Sequence, residues 1–335
     1  MEIIFEEELR KAVNLTEDVV DVIEKGFSLL ATGDVQTPPI MRIEVPENNG
    51  EVDVKAAKVQ GLGQFAIKVS SGFFNNPTHG LPSSSGMMLL LSALTGYPEA
   101  ILVDNGYLTD VRTAAAGAVC AKYLANTVVD TVGVIGSGNQ ARQQLRALAL
   151  VRDFRVALVY SRNPEHARTF SNEMSQLLGK PVLVATSPEE LVRSSDIVIT
   201  ATPSTQPVIL SSWVHPGLHI TAMGSDAEFK QELDPKIFSE ADKVCCDLTA
   251  QSLRLGELHH AVDAGFLSRE RIFELGDITS KKLLGRTHPQ HVTVCDLTGT
   301  GVQDTMIAIY ALEHVMANRV KVKESETDNF VRKEG

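Results

Sequence analysis

One glycine-rich hexapeptide limits what this 335-residue chain can fold into more than any other feature. Gly136-Ser137-Gly138-Asn139-Gln140-Ala141 has the pattern G-x-G-x-x-A and lies between an apolar run, residues 131–135, and a helical stretch, residues 140–150. The first glycine permits a tight turn, the second lets backbone approach a pyrophosphate, and the alanine allows close helix packing. The pattern predicts a dinucleotide-binding turn, with a plain strand-to-helix turn as the alternative.

Short apolar runs alternate with helical stretches along the rest of this region. The runs are residues 131–135, 156–160, 182–185, 196–200, 219–223, 243–246 and 292–295. This spacing is typical of successive βαβ units, which build a parallel sheet. We therefore expect a Rossmann-type α/β domain.

The first hundred residues have a different pattern. An amphipathic helix is predicted from Thr16 to about Leu30, and period-two alternation follows at residues 41–45, 51–55 and 65–70. Two more strands are expected at residues 87–91 and 100–103. The pattern predicts a sheet-rich first lobe of antiparallel strands, to which a last helix, residues 302–318, can return. The charged tail, residues 321–335, is expected to be weakly ordered.

Composition excludes several classes of protein. The net charge of −11 would repel a nucleic-acid backbone, and the basic residues form no patch in the sequence. No apolar run is long enough for a membrane span, and the acidic start, residues 1–8, is unlike a signal peptide. We expect a cytoplasmic protein with neither a nucleic acid nor a membrane as partner. The cysteines lack metal-ligand spacing, so no metal is predicted.

The end of the second parallel strand bears on cofactor choice. An NAD-selecting site places an acid there to accept from the ribose 2′-hydroxyl. Here the residues are Ser161 and Arg162, which could hold a 2′-phosphate instead. NADP(H) is therefore favoured, with NAD(H) as the alternative cofactor and a solvated surface arginine as the alternative interpretation of Arg162.

A few charged residues are candidates for contact with a substrate. Arg42 and Lys68 lie on the polar sides of predicted strands, and Arg112 opens an alanine-rich helix. Together they suit a small anionic substrate, although solvated basic residues are the alternative. Asp226 follows a strand end, where open α/β sheets place chemistry, so it is a candidate acid or base, or else a helix N-cap. His259 and His260 are adjacent, which favours a structural role over metal binding.

Seven segments carry a family resemblance. They are residues 51–55, 65–69, 108–116, 136–141, 200–203, Gly224-Ser225-Asp226 with Lys230, and residues 299–304. In this order they resemble the ornithine cyclodeaminase/μ-crystallin family, over nearly the whole chain. Residues 68–74 and 102–110 look most like its ectoine-utilisation branch.

The resemblance implies an α/β fold: a Rossmann-type parallel-sheet domain, residues 121–305, plus a discontinuous α+β substrate and dimerisation domain, residues 1–120 with 306–335. The active site would lie between the two domains of a homodimer. Asp226 and Lys68 would be catalytic; Arg42, Glu51, Lys68, Arg112 and Lys230 would bind substrate. The cofactor would be held by Thr113, Gly136, Ser137, Gly138, Asn139, Gln140, Ala141, Ser161, Arg162, Thr202, Met223 and Gly301.

The expected activity is reduction of a small α-imino acid, or oxidation of the amino acid, by hydride transfer with NAD(P). Ornithine-specific members have an acid after the second strand, whereas this chain has Ser161-Arg162 and so is closer to NADPH-binding members. A role in ectoine degradation is suggested, with iminosuccinate to aspartate as the specific guess. The alternatives are a true cyclodeaminase, ornithine to proline plus ammonia, and a non-enzymatic μ-crystallin-like NADPH or ligand-binding protein.

Overall fold

The chain forms two compact units, each discontinuous in sequence, in a computed structural model that describes the backbone of residues 1–331 and the side chains of residues 1–321. Unit 1 comprises Met1–Asn14, Asp34–Thr109 and Gly301–Gly335. Unit 2 comprises Leu15–Gly33 and Asp110–Thr300.

The strands and helices are numbered in chain order. The strands are β1 Glu2–Phe5, β2 Val35–Gln36, β3 Met41–Val45, β4 Gly50–Val59, β5 Gln64–Phe73, β6 Ser84–Ser92, β7 Pro98–Val103, β8 Thr131–Ile135, β9 Val156–Tyr160, β10 Val182–Val184, β11 Ile197–Thr200, β12 Thr205–Ile209, β13 His219–Ala222, β14 Gln231–Leu233, β15 Lys243–Cys246, β16 Ile272–Glu274 and β17 Thr293–Asp296. The α-helices are α1 Glu6–Ala12, α2 Glu17–Leu30, α3 Tyr107–Leu124, α4 Asn139–Val151, α5 Pro164–Leu178, α6 Pro188–Arg193, α7 Ile237–Glu240, α8 Thr249–Ser252, α9 Glu257–Asp263, α10 Leu275–Thr279 and α11 Gly301–Val331.

Unit 1 is built on a sheet with the order β1-β7-β6-β5-β4-β2, and β3 also pairs with β4. The pairs from β2 to β7 are antiparallel, as the alternating sequence predicts, whereas β1 joins β7 in parallel. Helix α11 covers one face. Its Thr305 hydroxyl donates to the Ala57 carbonyl at 2.9 Å and accepts from the Ala66 amide at 3.0 Å.

The opposite face of this sheet carries apolar side chains that unit 1 leaves exposed. Met41, Val54, Val69 and Met87 are successive partners in one row across four strands. The end members of the row, Met41 and Met87, are 55% and 47% exposed, and Ile43 beside them is 51% exposed. Edge strand β1 adds Ile3 and Phe5, both exposed. We call this surface the open face.

Unit 2 is a Rossmann-like domain, as predicted. The eight strands of its main sheet are all parallel, in the order β10-β9-β8-β11-β13-β17-β15-β16, of which the first five match the beginning of the doubly wound order 3-2-1-4-5-6. Successive side chains of β11 enter different cores: Ile197 and Ile199 pack with Phe170, whereas Val198 packs with Phe238. Because order reverses between β8 and β11, a crevice opens at the carboxyl ends of those strands.

The units differ from the predicted domain boundaries at both ends of the Rossmann-type domain. Helix α2, predicted to belong to the first lobe, lies in unit 2: Gly276 packs against the Phe27 carbonyl, and Ser28 hydrogen-bonds to Thr279. The second segment of unit 2 begins at Asp110, whereas the predicted domain begins at residue 121. It ends at Thr300, whereas the predicted domain ends at residue 305. Helix α3 therefore crosses the boundary, because its buried residues, Cys120 among them, pack on strand β17.

Two other differences concern the ends of the chain and short strands. Helix α11 continues to Val331, through most of the segment that was expected to be weakly ordered; residues 332–335 lie outside the described residues. The short strands β1, β2, β12, β14 and β16 were not predicted. In the part of the chain that the structure describes, no helix combines the length and apolar character needed to cross a membrane.

Candidate active site

The glycine-rich turn follows β8 at the crevice of unit 2. Gly136 has φ +119°, a conformation that side chains rarely adopt, and a Cβ there would lie 2.5 Å from the Ala201 carbonyl oxygen. This position therefore requires glycine for the turn itself. Gly138 is different: a Cβ there would meet no protein atom of the described chain within 4 Å. The space above Gly138 is therefore open to a ligand.

Helix α4 presents its N-terminus at the same turn. Gly138 is the N-cap, so the first backbone amides donate no hydrogen bond to a capping side chain, and no acid lies in the first turn. Ala141 is fully buried, as close helix packing requires. Exposed amides with the positive end of a helix dipole form an anion site, so these residues fit the pyrophosphate of a dinucleotide.

Asp110 of α3 is a site residue that the sequence analysis missed. Its carboxylate accepts hydrogen bonds from the side-chain amides of Asn139 and, at 2.7 Å, Gln140. Nearby on α3, the Thr113 carbonyl accepts a hydrogen bond from Gln144 at 2.8 Å. Helix α3 thus fixes the first turn of α4, on which three predicted cofactor contacts lie: Asn139, Gln140 and Ala141.

The end of β9 brings Ser161 to the turn. Its hydroxyl lies 2.9 Å from that of Ser137, so a serine pair stands where NAD-selecting sites place an acid. Arg162 is exposed, and Asn163 caps helix α5. Ser137 and Ser161 therefore lie together at the turn, and Arg162, next to Ser161 in sequence, is open to solvent.

Thr202 and Met223 follow the next two strands of the crevice, β11 and β13. The Thr202 amide and hydroxyl both donate to the buried carboxylate of Glu232, and the Met223 amide donates to the Thr200 carbonyl at 3.0 Å. Glu232 was not predicted as a site residue. Gly301, predicted as a cofactor contact, belongs to unit 1, where a Cβ would lie 2.4 Å from the Ala56 backbone. Packing against β4 thus accounts for glycine at that position.

Asp226 lies in the loop between β13 and β14, at the carboxyl edge of the parallel sheet. Its Oδ1 accepts a hydrogen bond from Lys230 Nζ at 2.5 Å. The Asp226 side chain is 48% exposed, whereas that of Lys230 is 10% exposed. Since the loop leads into a strand and not a helix, the alternative of a helix N-cap is wrong. The arrangement is a solvent-accessible carboxylate held in place by a buried ammonium group.

Arg112 of α3 is 5% exposed, and its guanidinium lies beside Gly299. A Cβ at Gly299, whose φ is +78°, would come within 2.7 Å of Nη1. Glycine at this position therefore makes room for the guanidinium. Arg112 and Lys230 are the predicted substrate-binding residues that lie in unit 2.

In unit 1, Arg42 pairs with acids on the neighbouring strand. Its Nε and Nη2 donate to the two carboxylate oxygens of Asp53, at 2.8 and 2.9 Å, and Nη1 lies 3.7 Å from Glu51 Oε2. The edge of the guanidinium that binds a carboxylate in bidentate fashion is thus occupied by Asp53. A substrate carboxylate would meet the end of the group, through Nη1 and Nη2.

Lys68 is 1% exposed on the face of the sheet that α11 covers, and its ammonium donates to Asp304 Oδ1 at 3.0 Å. Asp304 itself is fully buried. Asp104, before helix α3, caps it by accepting from the Leu108 amide at 2.8 Å. Burial raises the pKa of the Asp104 carboxyl to about 6, against the opposing effects of backbone hydrogen bonds and the Lys68 charge. Unit 1 therefore holds an ammonium group whose charge Asp304 balances.

Unit 2 thus carries a dinucleotide turn, and each unit by itself carries cations and acids that suit a small charged ligand. The model of the ornithine cyclodeaminase/mu-crystallin family matches residues 3–319. The chain belongs to this family. Family membership confirms the resemblance stated from the sequence, whereas the ectoine-utilisation branch stays a prediction.

Several related proteins match this chain over nearly its whole length. An uncharacterized cyclodeaminase of Sinorhizobium fredii is 48% identical over 315 residues, or 93% of this chain and 95% of the relative. The structure of Thermococcus litoralis Δ1-pyrroline-2-carboxylate reductase, in complex with NADH and L-proline, matches with a TM-score of 0.89 at 31% identity, covering 95% of this chain and 98% of that one.

Two other family structures match as well. An archaeal alanine dehydrogenase dimer with bound NAD has a TM-score of 0.88 at 31% identity and covers 95% of this chain and 97% of its own. Iminosuccinate reductase of Paracoccus denitrificans with NAD+ has a TM-score of 0.88 at 30% identity, covering 96% and 98%. These solved family members bind NAD(H). Their activities confirm the prediction of an enzyme of the NAD(P)-dependent oxidoreductase or cyclodeaminase kind.

Proposed function

We propose that this family member is an NAD(P)H-dependent imine reductase, or amino-acid dehydrogenase in the reverse direction, acting on a small α-imino acid. The observation that carries the proposal is the Asp226–Lys230 pair at the carboxyl edge of a Rossmann-like sheet. A carboxylate that is 48% exposed can exchange a proton with a ligand, and the 2.5 Å hydrogen bond fixes its position.

The chain's own residues divide the work. When bound at the glycine-rich turn, the reduced nicotinamide supplies a hydride for the imine carbon. Arg112, with the end of the Arg42 guanidinium, binds the substrate carboxylate, and Lys68 with Glu51 contacts its carboxylate or amine. Asp226 delivers a proton to the nitrogen, so that C=N becomes CH–NH and the charge balances. In the oxidative direction the same carboxylate accepts that proton.

Within this class, iminosuccinate is the first candidate substrate, which would yield aspartate and suit a role in ectoine degradation. The guanidinium groups of Arg42 and Arg112 support a substrate with more than one carboxylate, whereas the charge of Lys68 is balanced by Asp304. The likeness to the Paracoccus iminosuccinate reductase supports the same choice.

For the cofactor we propose a preference for NADP(H). The serine pair, Ser137 and Ser161, supports it because neither residue repels a 2′-phosphate, and exposed Arg162 carries the matching charge. The related structures with NAD(H) make NAD(H) the alternative.

We also propose that the chain is a homodimer joined through the open face of unit 1. Met41, Ile43 and Met87 are each about half exposed on an ordered sheet, and an apolar surface of this kind on a folded domain marks an interface. The dimeric archaeal alanine dehydrogenase supports the assignment.

A true cyclodeaminase is the second candidate, since the relative from Sinorhizobium fredii carries that name. Closing a ring needs a terminal amine on the substrate, and ornithine gives a relaxed five-membered ring. A cyclodeaminase regenerates its cofactor in each cycle, whereas a reductase consumes it.

One assay separates these functions. NADPH and NADH oxidation is followed with a panel of keto acids, oxaloacetate among them, each with ammonia or methylamine, and ammonia release is followed with ornithine and NAD+. We expect stoichiometric oxidation of reduced cofactor with at least one keto acid and amine. Ammonia release from ornithine without net cofactor change would instead establish the cyclodeaminase. If neither reaction occurs, the candidate that remains is a non-enzymatic NADPH or ligand-binding protein.

A further inference from the structure

The carboxylate of Glu232 is fully buried at the start of β14 and accepts four hydrogen bonds. Oε1 accepts from the Thr202 amide and hydroxyl, both at 2.7 Å. Oε2 accepts from the Thr200 hydroxyl at 2.7 Å and the Gly224 amide at 2.8 Å. An ionised carboxylate offers about four lone-pair positions, so all of them are used. Glu232 therefore joins the segment after β11 to the segment after β13.

Close packing leaves these segments little freedom. A Cβ at Gly224 would lie 2.2 Å from the Thr202 carbonyl oxygen and 2.6 Å from the Glu232 carboxylate. On the other side of the same segment, a Cβ at Gly136 would lie 2.5 Å from the Ala201 carbonyl oxygen. The segment that Glu232 holds thus touches both the dinucleotide turn and the beginning of the Asp226 loop.

The backbone of Glu232 is in turn held by a second buried acid, Glu257. Glu257 accepts the Glu232 amide at 2.7 Å and the Leu233 amide at 3.0 Å. Burial, and then the negative charge of Glu232, raises the pKa of Glu257 to about 8. Burial also raises the pKa of the Glu232 carboxyl, against the lowering effect of its four hydrogen bonds. The backbone at Glu232 is thus fixed by Glu257, while its side chain fixes the segments after β11 and β13.

The far end of the Asp226 loop is tied as well. The Lys230 carbonyl accepts hydrogen bonds from the Ser225 hydroxyl at 2.7 Å and from His260 Nε2 at 2.8 Å. Both ends of the loop that carries Asp226 are thus anchored, and Glu232 is the anchor that also reaches Thr202.

We propose that Glu232 is a positioning residue, which sets the place of Asp226 relative to Thr202 and the dinucleotide turn through its bonds to Gly224 and Thr202. This inference rests on the proposed role of Asp226 as acid and base. Glu232 touches neither substrate nor cofactor in this role; it acts through the two backbone segments that it joins.

The geometry makes Glu232→Gln a sharp test. Each carboxylate oxygen accepts one backbone amide, that of Thr202 on Oε1 and that of Gly224 on Oε2. A backbone N–H can only donate a hydrogen bond, whereas a hydroxyl group can rotate and accept one instead. Whichever way the glutamine amide turns, its NH2 group faces one backbone N–H, and one of the two segments is released.

For Glu232→Gln we expect kcat to fall about tenfold to a hundredfold, the cost of a small misplacement, with substrate KM changed less than about threefold. The pH at which kcat is half-maximal, set by Asp226, should move. Glu232→Asp keeps the charge with a shorter reach and should recover part of kcat. A kcat within about twofold of wild type in Glu232→Gln, or in Glu232→Asp where the glutamine variant does not fold, would overturn the proposal.

Asp196→Ala is the matched control. At the opposite end of β11, Asp196 Oδ2 accepts the Asp130 and Thr131 amides at 2.7 and 3.0 Å, so its loss also removes an acceptor of two backbone amides in unit 2. We expect it to lower thermal stability while kcat stays near wild type. An equal loss of kcat in this control would mean that Glu232 has only a structural role.

A second measurement stands apart from catalysis. By hydrogen exchange and mass spectrometry, Glu232→Gln should speed exchange in residues 200–204 and 222–228 and leave residues 131–135 unchanged. If the wild-type protein reduces none of the imino acids, the proposed function fails, and this measurement still decides whether Glu232 positions the two segments. Unchanged exchange in both segments would contradict the positioning role.

Discussion

Asp226 and Arg112 are expected to give different kinetic signatures when each is replaced. Asp226→Asn keeps the shape but cannot cycle a proton, so kcat should fall about 10²–10⁴-fold with KM little changed. Arg112→Ala removes a carboxylate contact and misplaces the substrate, so KM should rise and kcat fall together. Steady-state kinetics with the best keto acid of the panel measures both. Near-normal turnover in Asp226→Asn would disprove its role as acid and base.

His219 provides a prediction about acid stability. The side chain is fully buried between the Thr293 and Thr221 hydroxyls, at 2.9 and 3.0 Å. Burial, and then the Arg286 charge, lowers its pKa from 6.5 to about 3. Between these values only the unfolded chain takes up the proton, so its contribution to the free energy of unfolding is lost as pH falls below 6.5.

From pH 7 to pH 5 this loss amounts to about 2 kcal/mol, at about 1.4 kcal/mol per pH unit below 6.5. Urea unfolding of wild type and His219→Gln at both pH values isolates it, because all other titrating groups are shared. The variant should lose less stability on acidification. Equal losses in the two proteins would show that His219 does not stay neutral in the folded state.

At the same scale, the sequence predicted some site residues and not others for identifiable reasons. The alternation of β3 and β4 put Arg42 and Asp53 on polar sides, but only the hairpin register makes them cross-strand partners. No local signal connects Lys68 with Asp304, which is 236 positions away. Glu232 has the pattern of an ordinary strand residue, and its role becomes visible only when β11, β13 and β14 are placed.

At the scale of elements, the turn between β9 and α5 carries the cofactor prediction. Arg162→Ala should weaken NADPH binding about tenfold or more and leave NADH binding unchanged. A hydrogen bond to a charged group contributes about 1.5–3 kcal/mol, which corresponds to that loss of affinity. Arg168→Ala on helix α5, an exposed arginine paired with Glu165, is the control. Fluorescence titration with both cofactors measures this. Tighter binding of NADH than NADPH to the wild type would refute the preference.

Elements were predictable where an apolar run or a period-two alternation continued over several residues. The parallel strands of unit 2 and the hairpin strands of unit 1 fall within a few residues of their expected bounds because burial on one or both faces dictates their pattern. Strand β12 contains Pro207, and β14 has only three residues, so neither shows a strand pattern. Helix α2 was predicted as a helix. Its amphipathic pattern shows only that one face is buried, and it cannot identify the packing partner, α10, which lies more than two hundred residues later in the chain.

For the whole molecule, the open face predicts the oligomeric state. Ile43→Glu places a charge on that face, on strand β3, and should convert a dimer into a monomer of about 36.3 kDa, as measured by light scattering. Leu94→Glu is the matched control, because Leu94 is 92% exposed in the turn between β6 and β7, away from the strands. A wild-type protein that is monomeric at micromolar concentration would contradict the dimer.

The late position of α11 in the chain has a consequence for synthesis on the ribosome. Residues 34–109 emerge well before α11, so the face that α11 will cover is exposed together with the open face, and Lys68 is not yet beside its counter-charge, Asp304. The intervening residues 110–300 can build their own core in the meantime. A nascent chain of this protein therefore spends most of its translation with two apolar sheet surfaces within reach of chaperones, and a premature stop before Gly301 leaves that state permanent.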